Sequence, residues 1–167
     1  MNYIKITKND IANGPGVRCV LWVSGCNRRC KNCQNPSTWD FNAGQLFDEA
    51  AKQELFDALD KPYIQGLTLS GGHPLEAQNL DVILSLVQEV KRKFPTKDIW
   101  LYTGYTYEEI YYMNIARILL YIDVLVDGPY IEEQRDITLA FRGSRNQRLI
   151  DVQATLKQGK IITIQND

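Results

Sequence analysis

The sequence is poor in several features on which common functions depend. Among its 167 residues there is a single histidine, His73, and the charged side chains nearly cancel to a formal net charge of −1. This balance, with a pI of about 5.9, argues against a nucleic-acid-binding surface. No uninterrupted apolar run approaches the roughly 20 residues of a membrane-spanning helix, and the first residues lack the apolar core of a signal peptide. We therefore expect a cytoplasmic protein that binds neither membranes nor nucleic acid.

Cysteine is also scarce, but three of the four cysteines are clustered. They follow the spacing Cys26-x3-Cys30-x2-Cys33, which suits metal binding in a reducing compartment better than disulfides. Thiolates prefer zinc, copper(I) or iron–sulfur clusters, and both structural zinc sites and four-cysteine clusters use four protein ligands. Three thiolates would leave one metal position open, which is typical of a metal site that does chemistry.

The fourth cysteine, Cys19, lies within residues 17–24, a run of β-branched and aromatic residues that predicts a buried strand. Gly25 ends this run, so the clustered cysteines fall on the loop after the strand. In α/β proteins, ligands bind at that edge of the sheet. Because a free cysteine inside a strand behaves as a small apolar residue, we predict that Cys19 is part of the core and not a ligand.

Alternating apolar patterns predict strands that alternate with helices. The predicted helices cover residues 48–59, 80–94 and, as a helix or a pair of turns, 107–120; the predicted further strands cover 66–70, 99–102 and 123–126. Such alternation implies parallel βαβ units. A complete eight-stranded barrel needs about 250 residues, so we predict an α/β fold that is an open, partial (βα) barrel with mostly parallel strands.

The two ends of the chain are predicted to lie outside this pattern. We expect residues 1–167 to form a single domain with a core over about 14–128, an irregular segment over 1–16 and a C-terminal extension over 129–167. Beyond Asp151 we expect either an edge strand around 161–164 or partial mobility. The extension contains a group of arginines that suits either a solvated basic surface or a docking surface or lid: Arg135, Arg142, Arg145 and Arg148.

Further short motifs accompany the cysteine loop in a fixed order. The cysteine spacing resembles the cluster-binding loop of the radical S-adenosylmethionine (SAM) enzymes. With the other motifs, the chain from about residue 1 to about residue 152 resembles the activating proteins of anaerobic ribonucleoside-triphosphate reductase. The motifs are Asn13-Gly14-Pro15-Gly16, Ser37-Thr38-Trp39, Tyr63-Ile64-Gln65-Gly66, Ser70-Gly71-Gly72, Asp98-Ile99-Trp100, Thr103-Gly104-Tyr105, Val126-Asp127-Gly128 and Arg142-Gly143-Ser144.

The resemblance implies a complete chemistry for the cysteine loop. Cys26, Cys30 and Cys33 would each bind one iron of a 4Fe–4S cluster, and SAM would chelate the fourth iron. One electron, from a donor such as a reduced flavodoxin-like protein, would cleave SAM to methionine and a 5′-deoxyadenosyl radical. The protein substrate would be the anaerobic ribonucleoside-triphosphate reductase, in which one glycine would lose a hydrogen atom and become a glycyl radical. The protein's part is to hold the radical near its target and away from water.

The resemblance also implies which residues contact SAM. The pair Gly71-Gly72 would let the backbone approach the methionine part of SAM closely. The backbone around three loop residues would face the adenine: Asn32, Cys33 and Gln34.

Two of the implied SAM contacts depart from the superfamily pattern. Asn32 stands where many members have an aromatic residue, and His73 stands where an acidic residue is usual. A histidine at this place must be neutral to accept a hydrogen bond.

Other roles for the predicted rim and loop remain open. Thr103, Tyr105 and Asp127 follow predicted strands and suit either contacts to the SAM ribose or a cation, or simple stabilisation of turns. A first alternative function is another radical SAM enzyme, which activates a different glycyl-radical enzyme or acts on a small molecule. A second is a non-catalytic module that binds zinc or an iron–sulfur cluster.

Overall fold

A computed structural model describes residues 1–165 of the protein. Within these residues, seven strands form one mixed sheet in the order β3-β1-β2-β4-β5-β6-β7, with four α-helices. In chain order the elements are β1 (Asn2–Asp10), β2 (Val17–Val23), β3 (Gln45–Leu46), α1 (Glu49–Leu59), β4 (Ile64–Gly71), α2 (Ala77–Lys93), β5 (Asp98–Tyr102), α3 (Tyr107–Tyr112), β6 (Val124–Asp127), β7 (Arg148–Asp151) and α4 (Val152–Gln158).

The centre of the sheet is parallel and its edges are antiparallel. Strands β2, β4, β5 and β6 are parallel neighbours. On one side β1 pairs antiparallel with β2 and β3 pairs antiparallel with β1, and on the other side β7 pairs antiparallel with β6. The predicted α/β class is therefore confirmed, with a sheet that is only partly parallel. None of the helices within residues 1–165 is long and apolar enough to cross a membrane.

Both predictions for the chain ends need correction. Residues 1–16 are not simply irregular, because β1 pairs with β2. Register shifts between Tyr3 and Lys5 and between Thr7 and Asp10 interrupt its polar–apolar alternation and hid the strand from pattern analysis.

The C-terminal extension is more regular than expected. Strand β7 completes the sheet, and α4 follows at once, with the Asp151 side chain accepting a hydrogen bond from the Ala154 N–H at 2.9 Å. Four-residue and seven-residue elements are too short to show a period. The expected edge strand at 161–164 is reduced to one bridge between Thr163 and Ile150, and residues 166–167 lie outside the described residues.

The two faces of the sheet carry different cores. On the helix side, Cys19, Leu21 and Val23 of β2 pack with the buried faces of α1 and α2. The burial predicted for Cys19 is confirmed. The opposite face carries a smaller cluster around Trp100 and Val126, against which Phe141 packs.

On this second face the fully buried Arg18 ties three segments together. Its Nε donates to Thr68 Oγ1 at 2.8 Å and its Nη2 to Asp98 Oδ1 at 2.5 Å, while the guanidinium lies 5.4 Å from the centre of the Trp100 ring. Thr68 in turn donates to the Asn13 carbonyl at 2.9 Å. Arg18 therefore fixes the segment before β2 against β4 and β5.

We expect Arg18→Ala to reduce the free energy of unfolding by about 3 kcal/mol, because it leaves buried acceptors without a donor. The matched control is Asp48→Ala, which removes only the N-cap bond from the Ala51 N–H and should cost about 1 kcal/mol. Urea unfolding measures both. A smaller loss for Arg18→Ala than for Asp48→Ala would contradict the role given to Arg18.

Candidate functional site

The cysteine loop, residues 25–35, is folded by backbone turns that bring its thiols to one cleft. Gly25, Arg29 and Asn32 have positive φ angles of 96°, 47° and 54°, and the Cys33 N–H donates to the Cys30 carbonyl at 3.1 Å. Asparagine tolerates the left-handed conformation better than most residues. Asn32 therefore has a conformational reason to occupy a place where an aromatic residue is common.

The cleft has a volume of about 200 Å³ and lies where β2, β4, β5 and β6 end. Most of the predicted site residues line it, but Asn32, Tyr105 and Asp127 do not. Those that do are Cys26, Cys30, Cys33, Gln34, Gly71, Gly72, His73 and Thr103.

One wall of the cleft was missed by the sequence analysis. It comes from the segment between β6 and β7, through Gly128, Tyr130, Gly143 and Gln147. A Cβ on Gly143 would lie 3.0 Å from the Tyr130 ring and 3.2 Å from Gln34 Nε2, so this wall reaches the cysteine loop. Two motifs, Val126-Asp127-Gly128 and Arg142-Gly143-Ser144, were the signals for it, because Tyr130 and Gln147 stand in no periodic pattern.

Backbone N–H groups donate hydrogen bonds to two of the three thiols. The Asn35 N–H donates to Cys33 Sγ at 3.4 Å. At Cys26, burial raises the pKa of the thiol, while hydrogen bonds from the backbone of Arg28 and Arg29 act in the opposite direction. Hydrogen bonds to sulfur are among the features that tune iron–sulfur clusters.

The cysteine loop offers three free thiols to one cleft. Among residues 1–165, no three side chains of His, Cys, Asp or Glu stand close enough together to hold one metal ion. A zinc ion needs its thiolates at about 2.3 Å from one point, whereas each cysteine of a 4Fe–4S cluster binds a different iron. Three free cysteines around one cleft fit the cluster.

Gly71-Gly72 joins the cysteine loop to the end of β4. The Gly72 N–H donates to the Val23 carbonyl and the His73 N–H to the Gly25 carbonyl, both at 2.8 Å. A Cβ on Gly72 would lie 2.6 Å from the Gly25 oxygen. The missing side chain therefore allows two backbone segments to touch, in addition to leaving room for a ligand.

His73 is held by protein groups on both ring nitrogens. Its Nε2 lies 2.7 Å from Thr103 Oγ1 and accepts the Gly104 N–H at 3.3 Å. Its Nδ1 lies 3.3 Å from Glu76 Oε1. The imidazole is only 2% exposed, so protein groups and not solvent surround both ring nitrogens.

The other rim residues mainly stabilise turns. Thr103 Oγ1 accepts the Tyr105 N–H at 3.0 Å. The Asp127 carboxylate accepts the Tyr107 N–H at 2.8 Å and forms an ion pair with Arg148 at 2.5 Å. Arg148 is thus neutralised by ion pairs with Asp127 and Glu108, although its side chain is partly exposed.

Comparison with known proteins agrees with this geometry. Residues 12–150 match the family of 4Fe-4S single cluster domains, so the chain contains a single-cluster iron–sulfur domain. Proteins named anaerobic ribonucleoside-triphosphate reductase-activating protein are similar over most of their length. The one from Haemophilus influenzae is 49% identical, covering 88% of this chain and 96% of that protein, and the one from Enterobacteria phage T4 is 50% identical, covering 89% and 93%. The one from Escherichia coli is 45% identical, covering 88% and 96%.

The chain belongs to the family of anaerobic ribonucleoside-triphosphate reductase-activating proteins. This confirms the family that the ordered motifs predict.

The burial of the cysteines predicts their reactivity. In metal-free protein at pH 8, iodoacetamide should modify the three partly exposed loop cysteines, whereas Cys19 should react at least about a hundredfold more slowly, since the thiolate is the nucleophile. Cys19 is fully buried, and this burial raises the pKa of its thiol to about 12. Peptide mass spectrometry over time measures each site, and unfolded protein is the control in which all four react. Equal labelling of Cys19 in folded protein would contradict the placement.

Proposed function

We propose that the protein is a radical SAM activase that converts one glycine of an anaerobic ribonucleoside-triphosphate reductase to a glycyl radical. The observation that carries this proposal is the convergence of three free cysteines on one cleft beside Gly71-Gly72. Cys26, Cys30 and Cys33 would hold the 4Fe–4S cluster and leave one iron for SAM. When bound, the cluster and SAM supply one-electron reductive cleavage that yields methionine and a 5′-deoxyadenosyl radical.

The chain's own groups would bind and orient SAM. The backbones of Gly71 and Gly72 would accommodate its methionine part, and the backbone of the Asn32–Cys33–Gln34 stretch would face its adenine. Asn32 does not line the cleft, so its contribution would be to shape the loop. His73 would form part of the wall, because both of its ring nitrogens already have protein partners.

The architecture supports a site for a large substrate. We propose that residues 1–167 form a single radical SAM domain whose sheet is an open partial (βα) barrel, since the ends of its four parallel strands all border the cleft. A loop of the reductase could then reach the site. On the cysteine loop, Lys31 and Asn32 are exposed, which leaves room for an external electron donor such as a reduced flavodoxin-like protein.

The decisive experiment uses anaerobically reconstituted protein with its iron and sulfide measured. Reductant, SAM and the purified reductase are added, and an electron paramagnetic resonance (EPR) spectrum is recorded. We expect a glycyl-radical doublet on the reductase that requires both SAM and this chain. Cleavage of SAM without that doublet would contradict the proposed partner and favour another radical SAM substrate. Bound zinc without iron would favour the non-catalytic module.

Single substitutions test the ligands. Cys26→Ala, Cys30→Ala and Cys33→Ala should each lower SAM cleavage at least about a hundredfold while keeping the far-ultraviolet circular dichroism spectrum of the wild type. Cys19→Ala is the matched control, and it should keep cleavage within about twofold while costing about 1 kcal/mol of stability. Substantial cleavage by all three loop variants would exclude these residues as cluster ligands.

A further inference from the structure

Glu76 is a buried carboxylate at a helix N-terminus that does not cap the helix. It stands at the N-cap of α2, yet its side chain makes no capping bond, and only 7% of the residue is exposed. The carboxylate turns instead to the cysteine loop. Oε1 accepts the Asn27 N–H at 2.9 Å, and Oε2 accepts from Asn27 Nδ2 at 3.0 Å. Both bonds end on the residue that directly follows Cys26.

Among the described residues, no lysine or arginine forms an ion pair with this carboxylate. Its one partner of basic type within 4.0 Å is His73, whose Nδ1 lies 3.3 Å from Oε1. The hydrogen bond from His73 and those from Asn27 hold the pKa of Glu76 below its ordinary value. Arg28 directs its guanidinium elsewhere, towards the Tyr105 ring at 4.8 Å and Glu109 at 3.8 Å.

We propose that Glu76 is a positioning residue that lowers the reduction potential of the cluster by fixing a negative charge beside Cys26. The inference rests on the proposed function, since it requires a 4Fe–4S cluster on the three cysteines. Reduction adds one electron to the cluster from an external reductant and moves no proton. A fixed negative charge in a poorly solvated site disfavours that added charge. The reduced cluster is thereby a stronger one-electron donor.

Two substitutions separate the effect of the Glu76 charge from the effect of its hydrogen bonds on the position of the cysteine loop. Glu76→Gln keeps an oxygen that can accept the Asn27 N–H and keeps the size of the side chain, but it removes the charge. Asn27→Ala removes the Nδ2 bond and keeps the carboxylate together with its bond from the backbone N–H. If the charge acts, only the first change should move the potential.

The test is a redox titration of reconstituted protein without SAM, with the reduced cluster counted by EPR. At a fixed solution potential, Glu76→Gln should raise the ratio of reduced to oxidised cluster on the order of tenfold, which corresponds to about 59 mV for one electron. Asn27→Ala and the charge-retaining Glu76→Asp should stay within about twofold of the wild type. Glu89→Gln removes a carboxylate from the same helix, far from the loop, and should leave the ratio unchanged.

Several outcomes would overturn the inference. One is an unchanged ratio in Glu76→Gln, and another is an equal shift in Asn27→Ala. If Glu76→Gln and Glu76→Ala both fail to retain the wild-type iron content, Glu76 is needed for cluster assembly and does not tune its potential. Wild-type protein that binds no 4Fe–4S cluster would refute the proposed function itself, and an intact cluster with an unmoved potential would refute only the role of Glu76.

Discussion

The close contact between the cysteine loop and the end of β4 is the constraint on which the site depends. Gly72 lies so near the Gly25 carbonyl that a methyl group there would approach it to 2.6 Å. Two backbone hydrogen bonds of 2.8 Å, from the Gly72 N–H to Val23 and from the His73 N–H to Gly25, join the same two segments. The loop that carries the thiols therefore has its position fixed by backbone atoms, which are less mobile than side chains, and the cleft forms on the outer side of this contact.

Sequence patterns predicted the elements that are long or periodic. Helix α2 shows a clear apolar stripe, and the runs that became β2, β4, β5 and β6 are apolar and flanked by turn residues. Strand β1 and strand β7 were missed for different reasons. The first pairs irregularly with β2, and the second has four residues, too few to show alternation. Tertiary pairing, which no local pattern contains, stabilises both.

The site was predictable where chemistry demands particular residue types, and unpredictable where packing decides. Three cysteines at fixed spacing and a glycine pair after a strand are visible in the sequence. Tyr130 and Gln147 reach the cleft only because β7 pairs with β6 and turns the intervening segment back over it. The ion pair of Arg148 with Asp127 joins the start of β7 to the end of β6. Arg148, which the sequence also allowed to be part of a basic surface, therefore stabilises a wall of the cleft.

His73 and Glu76 show how a departure from a family pattern is accommodated. Where an acidic residue is usual, the imidazole of His73 fills the place, and the Gly104 N–H donates to its Nε2. The carboxylate stands three residues later, at Glu76, where a turn closed by the Glu76 N–H and the His73 carbonyl brings it back to the same ring and to Asn27. Negative charge is thus kept at this end of the cleft, but behind the cysteine loop and out of direct reach of a ligand. A carboxylate in that place would act on a cluster held by the cysteines through its electric field, without touching the cluster.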